Sequence, residues 1–369
     1  MTLTGCATPA GTDRYRQRFA GCLPGHYRQS QGLCVSSIGL GTYLGDPTEE
    51  VDDRYTETAV RAAQRGVNTF DTAVNYRHMH SERAVGRAIA ELIASGKAQR
   101  DEIILATKGG FLSYDGQVPE DPAAYFQKRL VQTGLVQPEE IVAGCHTLSP
   151  RYLADQIDVS RGNLGVSTID IYYLHNPETQ LREVPHDEFL RRLRMAFHAL
   201  EQAVADGKIR TYGVATWNGF RVTTDSQEAL SLEEILGVAD EVGGPNHHFG
   251  VIQLPFNIAM PEALTANTQL MDGRSVPLLH VARKHGLMVF SSASLLQGGL
   301  ARGLPGEFHQ SIPGLTTDAQ RAIQFVRSTP GITCALVGMT QPEHLDENLA
   351  TASVPPLVLA EYRKLFQKR

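Results

Sequence analysis

Short apolar runs recur along the chain at residues 37–41, 67–71, 103–108, 169–175, 211–216, 251–254, 287–291 and 334–338. Several close on a polar residue after a β-branched stretch, as a buried parallel strand does where it reaches its C-terminal end. Between these runs the apolar spacing becomes helical. Phe189, Leu193, Ala196, Phe197 and Leu200 share one face of a segment whose Arg191, Arg192 and Arg194 form a solvated face, and Gly207 supplies the stop signal after it. Residues 55–66 and 81–93 follow the same pattern.

Strands alternating with helices over about 300 residues predict βαβ units and an α/β fold, a closed (β/α)8 TIM barrel, with a doubly wound sheet as the alternative. Residues 1–26 are polar, with scattered Gly, Pro and Arg, and read as an extended N-terminal arm. Residues 27–36 hold two β-prone pieces around Ser30-Gln31-Gly32, a hairpin signal. Residues 27–369 then make a single barrel domain. Its longest interruption, 109–150, carries Pro119, Pro122 and Pro138 and would follow the third barrel strand. On that face of a barrel an insertion is placed to shape a substrate pocket.

Composition narrows the partners. Of 369 residues, 42% are hydrophobic, so a large core is available, and the net charge of −6 is spread without a basic stripe. Nucleic acid and anionic membrane surfaces are therefore excluded as expected partners. No apolar run approaches the ~20 residues of a membrane helix. Cys6, Cys22, Cys34, Cys145 and Cys334 make an odd set without a Cys-x-x-Cys pair, which favours a reducing, cytoplasmic setting. Leu3-Thr4-Gly5-Cys6 looks like a lipoprotein box, but no charged or apolar signal region fits before Cys6. Oligomeric state leaves no mark in the sequence.

Four segments carry candidate chemistry: Asp71-Thr72-Ala73-Val74-Asn75-Tyr76, Ala106-Thr107-Lys108, Tyr172-Tyr173-Leu174-His175 and Gly213-Val214-Ala215-Thr216. Singly, Asp71 is a plausible cap, Tyr76 packing, Lys108 a solvated strand end and His175 a satisfied core histidine. Together at strand ends they form an acid site suited to carbonyl reduction. Tyr76 would protonate the carbonyl oxygen, Lys108 would lower the phenol's pKa, Asp71 would hold Lys108, and His175 would orient the oxygen. No side chain supplies a hydride, so a nicotinamide cofactor is implied.

Other groupings are weaker. Gly39-Leu40-Gly41 lacks the spacing of a dinucleotide loop. His78-Met79-His80 and His247-His248 lack further ligands at metal-site spacing, so no metal is expected. Cys145 and His146, read as strand neighbours, would face opposite ways.

Asp71-Thr72-Ala73-x-x-Tyr76 with Ser81-Glu82-Arg83-Ala84-Val85-Gly86, Lys108, and Leu164-Gly165-x-x-x-Ile169-Asp170-x-Tyr172-x-Leu174-His175 resemble the signatures of the aldo-keto reductase family, over about residues 33–350. The resemblance implies NAD(P)H-dependent reduction of aldehydes, ketones or sugar-like carbonyls, with Asp71, Tyr76, Lys108 and His175 as the catalytic tetrad. It implies an extended nicotinamide cofactor without a Rossmann domain. The residues it assigns to that cofactor are Gly41, Thr42, Thr216, Trp217, Asn218, Gln253, Ser292, Ala293, Leu295, Gln297, Gly338, Met339, Thr340, His344, Glu347 and Asn348. Tyr43, Asn75, His78, Asn176 and Trp217 would line the pocket for a small-molecule carbonyl substrate.

The chain departs from the family at Ala215-Thr216, where a Ser-Asn pair is common, and at Ser292, where many members have a stacking Tyr. Gly338 and His344 stand where basic residues meet the 2′-phosphate. NADP(H) is therefore the expectation, with NAD(H) or dual use open. The alternatives are a nucleotide-binding regulatory subunit with little turnover, as in channel-associated members of the superfamily, and non-redox sugar chemistry.

Overall fold

The computed structural model describes residues 2–21 and 23–366; Cys22 lies outside them. An antiparallel hairpin, β1 (Tyr27–Ser30) and β2 (Leu33–Ser36), leads into β3 (Ile38–Gly41). The next strands are β4 (Thr69–Asp71), β5 (Ile104–Gly109), β6 (Ile169–His175), β7 (Ile209–Ala215) and β8 (Phe249–Pro255). A small hairpin of β9 (Gln269–Met271) and β10 (Arg274–Val276) precedes β11 (Met288–Ser292) and β12 (Cys334–Gly338). Strands β3 to β8 with β11 and β12 close into a parallel barrel. Gly338 pairs opposite Gly41 and Phe290 opposite Gln253, so no barrel edge is left open. This is the closed barrel the alternation predicts, rather than the doubly wound sheet, and each strand lies within a residue or two of its expected place.

Helices Glu49–Gln64, His80–Ala94, Pro150–Leu164, His186–Ala205, Leu232–Gly243, Leu278–Lys284, Asp318–Ser328 and Pro342–Ala350 wrap the outside. Local chemistry sets their ends. The Thr48 hydroxyl accepts from the Val51 amide, and Glu49, Glu50 and Asp52 complement the N-terminal dipole. Gly165, at φ +67, stops the helix before β6. The helical faces seen in sequence pack on the barrel wall: Leu193, Phe197 and Leu200 are fully buried, and the Phe197 ring lies 5.1 Å from that of Tyr212. Each such side chain contributes about 1.5–3 kcal/mol of burial.

Inside the barrel, strand alternation turns Ile104 and Ala106, Ile171 and Tyr173, Val251, Met288 and Phe290, and Cys334 and Leu336 inward. Ala7, Leu33 and Val35 belong to this same cluster, so the hairpin and the N-terminal segment plug the barrel end where the strands begin. Gly213 is required where β7 meets β8: a Cβ there would lie 1.7 Å from the Val251 carbonyl oxygen.

One expectation is corrected: the described residues of the N-terminal segment, 2–21 and 23–26, are not an extended arm. Thr8 caps a helix, Pro9–Gln17, whose Tyr15 is buried and donates to the Val67 carbonyl at 2.9 Å, while Arg14 pairs with buried Glu102 at 2.8 Å. A few buried contacts and a Thr-Pro start suffice where overall apolar content is low. The 109–150 insertion follows β5, the third barrel strand; its Leu112, Leu130 and Val136 form a small core with Tyr152 of the next helix, and its Phe111 lines the large cavity described next. Among the described residues no helix is long and apolar enough to cross a membrane.

Candidate active site

The C-terminal ends of the barrel strands open into a cavity of about 670 Å³. Alternation builds its floor. Lys108 continues the inward series of Ile104 and Ala106, His175 continues that of Ile171 and Tyr173, and Asp71 ends β4. Lys108 is fully buried and donates from Nζ to Asp71 Oδ1 at 2.6 Å and to the Thr72 carbonyl at 2.9 Å. Gln253 Nε2 donates to Asp71 Oδ2 at 2.7 Å. Tyr76 lies above this pair, its ring centre 4.7 Å from Lys108 Nζ and 5.7 Å from the His175 ring. The four sequence candidates are thus brought together.

Their protonation follows from burial and charge. Burial pushes the Asp71 carboxyl up, against the pull of Lys108 and Gln253. Lys108 is held above its ordinary value: burial disfavours the ammonium, but Asp71 and Tyr76 outweigh it. Burial also raises the Tyr76 phenol. Lys108 pulls it down as expected, yet does not bring it below the ordinary value, which corrects the expectation of a net lowering. Burial, then the Lys108 charge, drives His175 well below its usual value, so the ring is neutral.

His175 has support that sequence reasoning missed. His146, fully buried at the end of the insertion, donates from Nε2 to the His175 carbonyl at 2.7 Å and accepts at Nδ1 from Gln180 at 2.8 Å, a tautomer assigned from its partners. Gln180 in turn accepts from Arg192 at 2.8 Å. The Phe111 ring stands edge-on to both histidines at 5.0 Å. Cys145 lies in the turn that precedes His146, which bridges to Phe111 and Val142, and both ring nitrogens of His146 are taken by His175 and Gln180 rather than by Cys145.

The turn after Tyr76 is strained. Arg77, His78 and Met79 have φ of 50°, 53° and 74°, in the left-handed region. Arg77 holds it through an ion pair to Asp52 at 2.5 Å and bonds to the Asp46 and Thr48 carbonyls. His80 caps the arrangement with a 2.6 Å bond to the other Asp52 oxygen.

Most residues assigned to a cofactor also reach the cavity. Gly41, Thr42, Gln253, Thr216 and Trp217 line one part, as do the substrate candidates Tyr43, Asn75 and Asn176. Ser292 at the end of β11 and Ala293, Leu295 and Gln297 in the loop after it reach the cavity, as do Gly338 at the end of β12, Thr340 in the next loop, and His344, Glu347 and Asn348 on the helix that follows. Three candidates do not. Met339 is 1% exposed in the outer core, Asn218 turns its amide to Glu228 at 2.9 Å, and His78 lies beside Tyr114. The Thr216 hydroxyl is already given to buried Glu178 at 2.7 Å.

Arg302, exposed and lining the cavity from the loop after β11, was not found from sequence; an irregular loop offers no periodicity to place it. Arg302 and His344 add basic groups to a cavity whose floor holds Tyr76 and His175. The His175 Nδ1 and Asn75 Oδ1 atoms are buried and have no partner among the described residues. Size, free polar atoms and basic groups together fit a dinucleotide with a small substrate.

Residues 37–234 match the model of the aldo/keto reductase family. The chain is 24% identical over 342 residues to a putative voltage-gated potassium channel subunit beta of Schizosaccharomyces pombe, covering 89% of this chain and 87% of that one. It is 29% identical over 188 residues to an NADH-specific methylglyoxal reductase of Escherichia coli, covering 50% of this chain and 49% of that one. Among solved structures, an aldo/keto reductase from Klebsiella pneumoniae in complex with NADP and acetate superposes with a TM-score of 0.60 at 20% identity, covering 93% of this chain and 94% of that one. That likeness shows the barrel fold.

Proposed function

This chain belongs to the aldo/keto reductase family, and from that premise we propose that it is an NAD(P)H-dependent oxidoreductase that reduces aldehyde or ketone groups, including sugar-like carbonyls. The observation that carries this reading is the buried Lys108–Asp71 pair beneath Tyr76, with His175 across the same cavity floor. A reduced nicotinamide, when bound, supplies the hydride. Tyr76 gives its proton to the carbonyl oxygen. The charge on Lys108 stabilises the phenolate left behind, and Asp71, fixed by Gln253, keeps the ammonium in place. Neutral His175 orients the oxygen without competing for the proton.

Arg302 and His344 support a phosphate-bearing cofactor, and NADP(H) is favoured because charge-assisted bonds are the strong ones. The Klebsiella protein is crystallised with NADP, whereas the Escherichia coli relative is NADH-specific, so this chain's own loop residues decide the preference. The described cysteines are free thiols, in keeping with a cytoplasmic setting. The test is oxidation of NADPH and NADH by a panel of aldehydes, ketones and sugars. Turnover with any of them supports the reductase. A second reading, a nucleotide-binding regulatory subunit, draws on the likeness to the Schizosaccharomyces protein along most of both chains. Tight nucleotide binding with no turnover across the panel would select it.

A further inference from the structure

Glu178 lies on the short helix Pro177–Arg182 that follows β6, 3% exposed and outside the cavity lining. Its Oε1 collects donors from a different loop: the Thr216 hydroxyl at 2.7 Å and the amides of Trp217 at 2.8 Å, Asn218 at 3.1 Å and Gly219 at 3.4 Å. The Gly219 amide also donates to Thr216 Oγ1 at 2.8 Å, which closes the turn on itself. Glu178 Oε2 is buried without a partner among the described residues. Burying a carboxylate is costly unless it gathers strong bonds, and three of these donors are backbone amides that a surface loop would otherwise give to water.

The turn so held carries Trp217, which is 41% exposed and lines the cavity. It stands close to the reacting end, because β7 pairs with β6 residue for residue, Ala215 opposite His175, and the Asn176 amide donates to the Ala215 carbonyl at 2.6 Å. A large aromatic side chain on an unanchored loop would lose ordering entropy each time a ligand packed on it. Anchored, it meets the ligand already in place.

We propose that Glu178 is a positioning residue whose carboxylate clamps residues 216–219 and so fixes Trp217 as a wall of the cavity beside His175. That this wall meets a nucleotide and its substrate rests on the function proposed above; the clamp itself does not.

Trp217 is the single tryptophan of the chain, so fluorescence excited at the red edge, beyond tyrosine absorption, reports on this wall alone. The experiment measures acrylamide quenching of the unliganded protein for wild type, Glu178→Ala and Glu178→Gln, followed by titration with NADPH. Glu178→Ala is expected to raise the quenching constant severalfold and to weaken NADPH binding roughly tenfold, the order expected when buried donors lose their acceptor. KM should rise more than kcat falls. Glu178→Gln keeps one acceptor oxygen and should restore both readouts towards wild type. Wild-type quenching in Glu178→Ala would overturn the clamp. Should that variant not fold, Glu178→Asp decides, since its carboxylate is drawn back by one methylene: raised quenching supports the proposal and unchanged quenching overturns it. A wild-type protein that binds no NADPH would instead defeat the nucleotide reading, with the quenching comparison still deciding the clamp.

Discussion

The ammonium of Lys108 sits 4.7 Å from the centre of the Tyr76 ring while bonded to Asp71 at 2.6 Å. The charge that would stabilise a tyrosinate is thus fixed before any ligand arrives. Tyr76→Phe removes the proton donor and leaves the pair beneath it intact. Carbonyl reduction should fall by about 10²–10⁴-fold, the usual worth of a positioned acid, with nucleotide affinity unchanged. Steady-state rates beside a binding titration check this, and a variant with undiminished turnover would remove Tyr76 from the mechanism.

Lys108→Met should destabilise the fold, because Asp71 is then a buried carboxylate with its charge partner gone. Losing one partner of a buried pair costs about 3–5 kcal/mol, whereas removing both is far milder. Urea denaturation of Lys108→Met, and of the same change combined with Asp71→Asn, tests this. The double variant should recover much of the loss.

His146 should account for a separable share of the acid sensitivity, beside the buried His26 and His175. Burial holds its folded-state pKa at about 4, below the ordinary value of 6.5, and holds that of His26 at about 3. As pH falls from 6.5 towards 4, the unfolded chain takes up protons that the folded protein does not, so stability is lost as pH falls. By pH 5 each histidine accounts for roughly 2 kcal/mol. In His146→Gln the stability-against-pH curve should be flatter by about half a proton at pH 6.5, approaching one proton near pH 5. An unchanged slope would mean that His146 is protonated in the fold.

Arg302→Ala should raise the dissociation constant for NADPH roughly tenfold, as for a lost charge-assisted bond, and that for NADH by much less. Calorimetric titration with both nucleotides separates the cases. Equal losses would place the guanidinium on a phosphate the two cofactors share.

The barrel and its floor were legible because strand chemistry is local. A β-branched run ending in Asp71, Lys108 or His175 states both the strand and the end that faces the site. What escaped lies in long-range packing. The helix Pro9–Gln17 is polar overall, and its place depends on Val67, Glu102 and Asp170, all far along the chain. The support that His146 gives to His175 spans 29 residues, and Arg302 enters from an irregular loop. The Thr216 hydroxyl matched its expected position, but its commitment to Glu178 shows only in three dimensions. Neighbouring residues in sequence also misled: Met339 and Asn218 stand beside cavity residues yet point elsewhere.

The pairing of β12 with β3 joins the last strand of the ring to the first. A chain emerging from the ribosome therefore carries Ile38–Gly41 as an open edge until residue 338 has been made, and an open parallel edge invites wrong partners. Glu347 and Asn348, which complete the cavity wall, come later still. Birth order thus delays completion of the cavity until β12 and the helix after it have joined the ring, and a protein truncated before β12 would keep that edge open and call on chaperones.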